Sequence, residues 1–274
     1  MTDWKEVLSE ACGRAQAVAE KASAGRGRSR EVGVGASGDR TLAADRDAEE
    51  EILDSLSGIA GLRIISEEIG EVGDKAGRVT AIVDPIDGSS NFGRAIPFYC
   101  TSIAIVEGTH LRDVRHAMVR NLVNGDVYYS ERGCGSTKNG RLIRTSTESE
   151  ASESVVGIDM SRASEGTIID LAPLISRVKR QVHFGANALE LCLVAEGKEE
   201  AFVDVRGRMR ITDFAGGYLI ASEAGAVVSD PQGAELDPAL RLGERFGFVV
   251  SANGELHRVV LGLLRRERPS ARRS

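Results

Sequence analysis

Residues 79–92, VTAIVDPIDGSSNF, put two carboxylates, Asp84 and Asp87, three positions apart at the end of a strand-like run, followed by two hydroxyls and an amide. Acidic groups stand at comparable places elsewhere. Glu67-Glu68 end the short apolar run LRIIS, and Asp213 opens the helical pattern DFAGGYLIASEAG. Proteins that alternate strands and helices hold ligands at the carboxyl ends of strands and the amino ends of helices. Carboxylates gathered at such a point repel one another unless a hard cation holds them. With no His or Cys in any of the three clusters the donors are all oxygen, which suits Mg2+ or Mn2+ rather than zinc. Pro85 fixes the turn, so that both side chains and the Ile86 carbonyl can face one point. Gly88 lets the backbone approach a ligand, and Ser89 and Ser90 start a short helix with free N–H groups.

The elements that must carry these groups can be traced along the chain. WKEVLSEACGRAQAVAEKA has apolar residues at helical spacing from Trp4 to Ala22. GRGRSREVGVGASGDRT reads as a mobile loop, too rich in glycine to bury itself; its GVGASGD has no strand leading in and lacks G-x-G-x-x-G spacing, so it is not a dinucleotide loop. A second helix, RDAEEEILDSLSGI, should begin after a cap at Asp45. CTSIAIVEG and VRHAMVRNLVNGDVYYSERG follow as strands, with Asn124-Gly125 marking a hairpin. From about residue 150 the pattern alternates: SVVGIDM, IIDLAPLISRV, QVHF, ANALELCLVAEG, EAFVDVRG, DFAGGYLIASEAG, AVVSD, GFVVSAN and a last helix. The fold class is therefore α/β, in two halves, 1–150 and 151–274, with no linker between them, packed as one unit.

Composition excludes several classes. A chain of 274 residues with 42% hydrophobic and 28% charged residues can bury a large core. A net charge of −6 argues against nucleic acid as the partner, and the basic tail RRERPSARRS reads as a solvated end. No stretch has the length of a membrane span, and the N-terminus lacks a signal peptide's apolar run. The four cysteines, Cys12, Cys100, Cys134 and Cys192, are scattered without CxxC pairing and read as thiols of a reducing cytoplasm.

DPIDGSSNF resembles the D-P-[IL]-D-G-[TS]-x-N-F motif of the inositol monophosphatase superfamily, and ITDFAGGYLIASEAGAVVSD resembles its second motif, usually W-D-x-A-A-G. IISEE and ANALELCLVAEGKEEAFVDVR match the family's intervening segments, and the likeness runs in order from about residue 4 to 260. SGDRT, FVDVRGRMR and the absence of Trp before Asp213 look most like the archaeal fructose-1,6-bisphosphatase/inositol monophosphatase branch.

The resemblance implies a layered αβαβα sandwich, a homodimer, and a Mg2+-dependent phosphomonoesterase with two or three ions per subunit, Mn2+ being a possible substitute. Glu67, Asp84, the Ile86 carbonyl, Asp87 and Asp213 would be the metal ligands. Asp84 would bridge two ions, with Glu67 towards the first and Asp87 and Asp213 on the second, and Asp39 would help a third. Glu67 and the Ser89–Asp45 pair would orient a metal-activated water for in-line attack on a small phosphate ester, without a covalent phosphoenzyme. Asp87, Gly88, Ser89, Gly185, Ala186 and Asn187 would line the substrate. Val182 stands where the family often has Arg, and Ala186 where Ser or Thr is common. Arg206 stands where animal inositol monophosphatases have Glu and is expected to overhang the leaving group and grip a second phosphate. Arg208 and Arg210 read as solvated loop charges, and His183 as a satisfied core or rim histidine. Fructose-1,6-bisphosphate and inositol-1-phosphate are the expected substrates. The alternatives are a 3′-phosphoadenosine 5′-phosphate phosphatase and a non-catalytic regulatory relative.

Overall fold

The computed structural model describes residues 2–25, 28–36, 38 and 40–264; Asp39 and the tail 265–274 lie outside them. Helix α1 (Trp4–Ala24) is capped by the Asp3 carboxylate, which accepts from the Lys5 and Glu6 amides, and it buries Leu8, Ala11, Cys12, Ala15 and Ala19 along one stripe. It packs with α2 (Ala43–Leu56) on one face of an eight-stranded sheet. In spatial order that sheet runs Arg141–Ile143, Ser136–Lys138, Val127–Glu131, Val114–Asn121, Cys100–Val106, Val79–Asp87, Leu62–Ser66, Gly70–Gly73. Short α3 (Ser89–Gly93) follows the strand Val79–Asp87.

Two helices, α5 (Asn187–Ala195) and α6 (Ile211–Ala224), fill the space behind the other face. They are covered in turn by a five-stranded sheet, ordered Arg180–Val182, Val155–Ile158, Ala201–Met209, Phe246–Ser251, Val227–Ser229. Helices α4 (Glu165–Ile175) and α7 (Gly254–Leu264) close its far side. Three hydrophobic clusters fill the four helix–sheet boundaries, the largest lying on both sides of the α5–α6 layer and drawing residues from both sheets. The result is the expected αβαβα sandwich.

The two glycines of α6 set how deeply that helix sits. A β-carbon on Gly216 would lie 2.3 Å from the Ser102 hydroxyl of the sheet, and one on Gly217 would lie 2.7 Å from the Leu191 side chain and 3.0 Å from the Ala188 carbonyl of α5. The helix is thereby wedged between a strand and a second helix, with its amino end at the strand ends.

Two local expectations are corrected. The glycine-rich segment carries an antiparallel ribbon, Glu31–Val34 with Arg40–Leu42, because Val, Thr and Leu residues on either side of its turn can pair. Helix α2 begins at Ala43, so Asp45 is the third helical residue rather than the cap; its carboxylate reaches back to the Leu42 amide at 2.9 Å.

Gly217→Ala should lower stability by about 1–3 kcal/mol through overpacking, against the usual preference of helices for alanine. Gly13→Ala, in α1 with nothing within 4 Å of the new carbon, should raise it by about 0.5–1 kcal/mol. Urea unfolding of both variants checks the pair, and a stabilised Gly217→Ala would show that α5 and α6 are not in close contact there.

Candidate active site

The parallel register of two strands builds the first half of the site. Ser66 lies beside Val83, so the next residues, Glu67 and Asp84, leave adjacent strand ends side by side. Asp84 and Asp87 differ by an odd number of positions and would point to opposite faces of a regular strand. The ladder to Cys100–Val106 slips between them: Asp84 is opposite Ser102 and Asp87 opposite Cys100, which leaves one extra residue in the bulge. Pro85 sits in this bulge, where it deprives the ladder of no donor, and its carbonyl accepts from the Thr101 hydroxyl at 2.7 Å. The bulge brings Asp84 and Asp87 to one face, and the amino end of α6 brings Asp213 to them from the helical layer.

Glu67, Asp84 and Asp213 each offer an oxygen within 4.8 Å of the others, and all three are buried. Asp84 Oδ1 has no hydrogen-bond partner among the described residues. A buried, unpartnered carboxylate oxygen beside two more carboxylates fits an oxygen-liganded divalent cation. Asp87 plays a second part: its Oδ2 accepts the Ala188 amide at 2.6 Å and so caps α5 electrostatically. Burial pushes the Glu67 carboxyl up to about 8, with Arg210 opposing and Asp213 reinforcing the shift. Burial, then the Asp213 charge, raises Asp87 to about 7, and burial raises Asp84 well above the ordinary range.

Ser89 Oγ lies 3.0 Å from Asp45 Oδ1 and 2.8 Å from the Ile86 carbonyl. Asp45 is itself buried, which raises its carboxyl to about 7 against the pull of the Leu42 amide and the Ser89 hydroxyl. Gly88 adopts φ +91°, and a side chain there would meet the Phe98 carbonyl at 3.0 Å and Ala186 Cβ at 3.1 Å, so both backbone and space require glycine. Asn91 ties this corner to the second half of the chain, donating to the Phe98 carbonyl at 2.8 Å and the Phe184 carbonyl at 2.6 Å.

These groups face a cavity of about 690 Å³. Of the residues expected at the site, Glu67, Asp84, Ile86, Asp87, Gly88, Ser89, Gly185, Asn187 and Asp213 line it. Ala186 is fully buried behind the wall, and Asp45 reaches the cavity through Ser89. Arg206 is not brought there. Its Nε donates to Asp204 at 2.8 Å, its Nη1 to the Ser161 carbonyl at 2.7 Å and its Nη2 to Asp204 and Asp159. Strand alternation puts Asp204 and Arg206 on one face, and the parallel register of Ile158 with Val203 sets Asp159 beside Asp204. A guanidinium satisfied on all sides has no fork left for a phosphate. Asp39 falls outside the described residues. His183 lies 3.1 Å from Glu190 and 3.4 Å from Asp159, off the cavity wall.

The sequence reading missed three cavity arginines and took a fourth, Arg210, for a solvated loop charge, whereas it is paired and mostly buried. Arg40, Arg94 and Arg162 stand at the rim, and Arg162 holds φ +56°, unfavourable for a residue with a side chain. Arg210 lies deeper: its Nη1 is 2.6 Å from Glu67 Oε1 and its Nε 2.9 Å from Asp213 Oδ2. Its place three residues before Asp213, just ahead of a helix start, was the available signal.

Oxygen-only acids at strand ends, a part-buried serine–aspartate pair and a cavity rimmed by cations define a metal-dependent phosphomonoester hydrolase. The sequence profile of the inositol monophosphatase family matches residues 3–268. A fructose-1,6-bisphosphatase/inositol-1-monophosphatase of Methanothermobacter thermautotrophicus is 36% identical over 246 residues, 85% of this chain and 86% of the relative. A bifunctional NADP phosphatase/NAD kinase of Methanococcus maripaludis is 32% identical over 85% of this chain and 44% of the longer relative. The crystal structure of an inositol monophosphatase–fructose 1,6-bisphosphatase superposes with a TM-score of 0.85 at 30% identity, covering 96% of this chain and all of that one. The chain belongs to the inositol monophosphatase family.

The raised carboxyls set a pH dependence. Between the ordinary carboxyl range near 4 and about 7 to 8, folded Asp45, Asp87 and Glu67 keep protons that the unfolded chain has released. Unfolding then releases protons, so the stability of the cation-free protein falls as pH rises through this window. A cation needs the ionised carboxylates, so its stabilising effect grows over the same window. Tm in chelator should therefore drop from about pH 5.5 to 8.5, while the gain on adding saturating Mg2+ widens; parallel profiles with and without Mg2+ would contradict the raised carboxyls.

Proposed function

We propose that this chain hydrolyses small sugar and polyol phosphate monoesters, with fructose-1,6-bisphosphate and inositol-1-phosphate as its substrates and Mg2+, replaceable by Mn2+, as its cofactor. The observation that carries the reading is the convergence of Glu67, Asp84 and Asp213, with the unpartnered Asp84 oxygen, on a cavity rimmed by arginines. Glu67, Asp84, Asp87, Asp213 and the Ile86 carbonyl would hold two ions, with Asp39 serving a third. When bound, the ions would stabilise charge on the phosphoryl oxygens and make water more acidic. No described helix is long and apolar enough to cross a membrane. A homodimer in the cytoplasm is proposed separately, on the family resemblance alone.

The remaining work falls to the chain itself. The Ser89 hydroxyl carries one proton and faces two acceptors. Donated to Asp45, that proton leaves the Ile86 carbonyl free for a cation and Ser89 Oγ free to accept from the attacking water. Asp45, at about 7, is matched to taking up a proton near neutral pH. Gly88, Gly185 and Asn187 line the wall where the phosphoryl group would rest, with amides at the start of α3 and α5. With Arg206 engaged elsewhere, Arg94 and Arg162 are the candidates for a second phosphate. Both are exposed at the rim, with their forks available.

Phosphate release from a panel of fructose-1,6-bisphosphate, inositol-1-phosphate, NADP and 3′-phosphoadenosine 5′-phosphate, with Mg2+ or EDTA, tests the reading. Activity on the first two, abolished by EDTA, supports it; turnover of only the nucleotides would replace it. Asp84→Asn should cut turnover by several orders of magnitude, roughly 10^3 or more, with circular dichroism unchanged, because it removes charge from the shared ligand. Near-normal turnover by that variant at saturating Mg2+ would remove Asp84 from the cation site.

Arg94→Ala and Arg162→Ala should each lower kcat/KM for fructose-1,6-bisphosphate about 10- to 150-fold, the loss of a charge-assisted pair, and for inositol-1-phosphate by less than about threefold. Equal losses on both esters would mean that the rim does not read a second phosphate.

A further inference from the structure

Arg210 occupies ground that the acidic cluster would otherwise offer entirely to a cation. Its guanidinium lies 2.6 Å from Glu67 Oε1 and 2.9 and 3.0 Å from the two Asp213 oxygens, with its side chain only 15% exposed. Glu67 and Asp213 are two of the three residues whose oxygens converge within 4.8 Å. A divalent cation would draw those oxygens in to about 2.0–2.1 Å around itself. The same lone pairs cannot serve both groups, and two positive centres a few ångströms apart in a buried site repel strongly.

The comparison with Arg206 is instructive. Arg206 neutralises Asp159 and Asp204 away from the cavity wall, and its guanidinium contacts are all within the protein. Arg210 stands on the wall, near a third acid, Asp84, whose Oδ1 it leaves unpartnered, while a fourth, Asp87, neighbours Asp213. One guanidinium among four carboxyl groups pairs with two of them, Glu67 and Asp213, and leaves Asp84 Oδ1 without a partner among the described residues. It therefore steadies the cluster without satisfying it.

We infer that Arg210 is an internal counter-cation that competes with the first divalent ion for Glu67 and Asp213. Without metal it holds the two acids, which arrive from different layers of the sandwich, in the positions they need for a cation. Metal loading ends its pairing with them and turns the guanidinium to the cavity, where the anionic ester binds. The competition weakens metal affinity, and it makes cation loading and the availability of a cavity arginine one event. This inference rests on the metal-dependent reading above.

The test measures metal binding rather than turnover. Full-length protein stripped with chelator is titrated with Mn2+ at about pH 8, free of phosphate and substrate, and followed by electron paramagnetic resonance. Arg210→Met should bind Mn2+ about tenfold or more tightly than the wild type, because the competitor is gone. Arg162→Met, which removes the same charge from the rim, should change affinity less than about threefold. Arg210→Lys keeps the charge without the fork and should fall between. Arg210→Met should also lower Tm in chelator and return to within a few degrees of the wild type at saturating Mn2+. Should Arg210→Met not fold without metal, Arg210→Lys carries the titration, and its affinity must exceed the wild type's. Equal or weaker Mn2+ binding by a folded Arg210 variant overturns the inference alone. A wild type that binds no Mn2+ overturns the metal-dependent reading and this inference with it.

Discussion

Mutual repulsion among buried carboxylates is the constraint around which the site is organised. Two unit charges 4.8 Å apart, the outer limit for the converging oxygens of Glu67, Asp84 and Asp213, repel by about 3–4 kcal/mol at an effective dielectric near 20. No isolated strand or helix would assemble such a group. The parallel register that sets Glu67 beside Asp84, the bulge that turns Asp87 to the same face and the glycine pair that lets α6 deliver Asp213 each depend on the large apolar core behind them. The amides of α5 and the guanidinium of Arg210 offset part of the repulsion from inside the protein. Protons kept on the raised carboxyls relieve the rest until a rising pH or a cation displaces them.

The two sheets solve the same local problem differently. In each, adjacent parallel strands end in a pair of acids: Glu67 and Asp84 in the first, Asp159 and Asp204 in the second. The second pair is neutralised by an arginine two residues along its own strand, in the segment where that strand leaves its ladder between Asp204 and Met209. The first pair gains two more acids and only a partial counter-charge. One arrangement is a closed structural ion pair, and the other remains an open cation site. Acid content does not distinguish them, but the balance of partners does.

That distinction explains what could be read from the chain. The helices, the alternation of the second half and the DPID turn are local patterns, and each is found close to where its spacing puts it. Asp84 and Asp87 were legible because a proline stands between them and a glycine follows. The surroundings of Arg206 depend on which residue of Val155–Ile158 lies beside Val203, a register that no local pattern encodes. Arg210 was hidden for the same reason, since its partner Glu67 is more than a hundred residues away and on another layer. The ribbon at Glu31–Val34 was obscured by glycines that suggested a structureless loop.

The layered arrangement also separates what chemistry requires from what selects the substrate. Every acid of the cluster comes from an element anchored in the interior: two strands of the eight-stranded sheet and the central helix α6. The rim arginines come from elsewhere: Arg40 from the ribbon, Arg94 from the end of α3 and Arg162 from the turn between the strand Val155–Ile158 and α4. These positions are exposed, and changing them disturbs none of the interior registers. Charges at the rim can thus be exchanged at little cost to the fold, whereas an altered residue at the strand ends would have to be matched by a change in the counter-charges around it. Relatives that share such a centre while differing in the esters they accept are what this separation permits, and Arg210, which belongs to both the cluster and the cavity, is the point at which the two are joined.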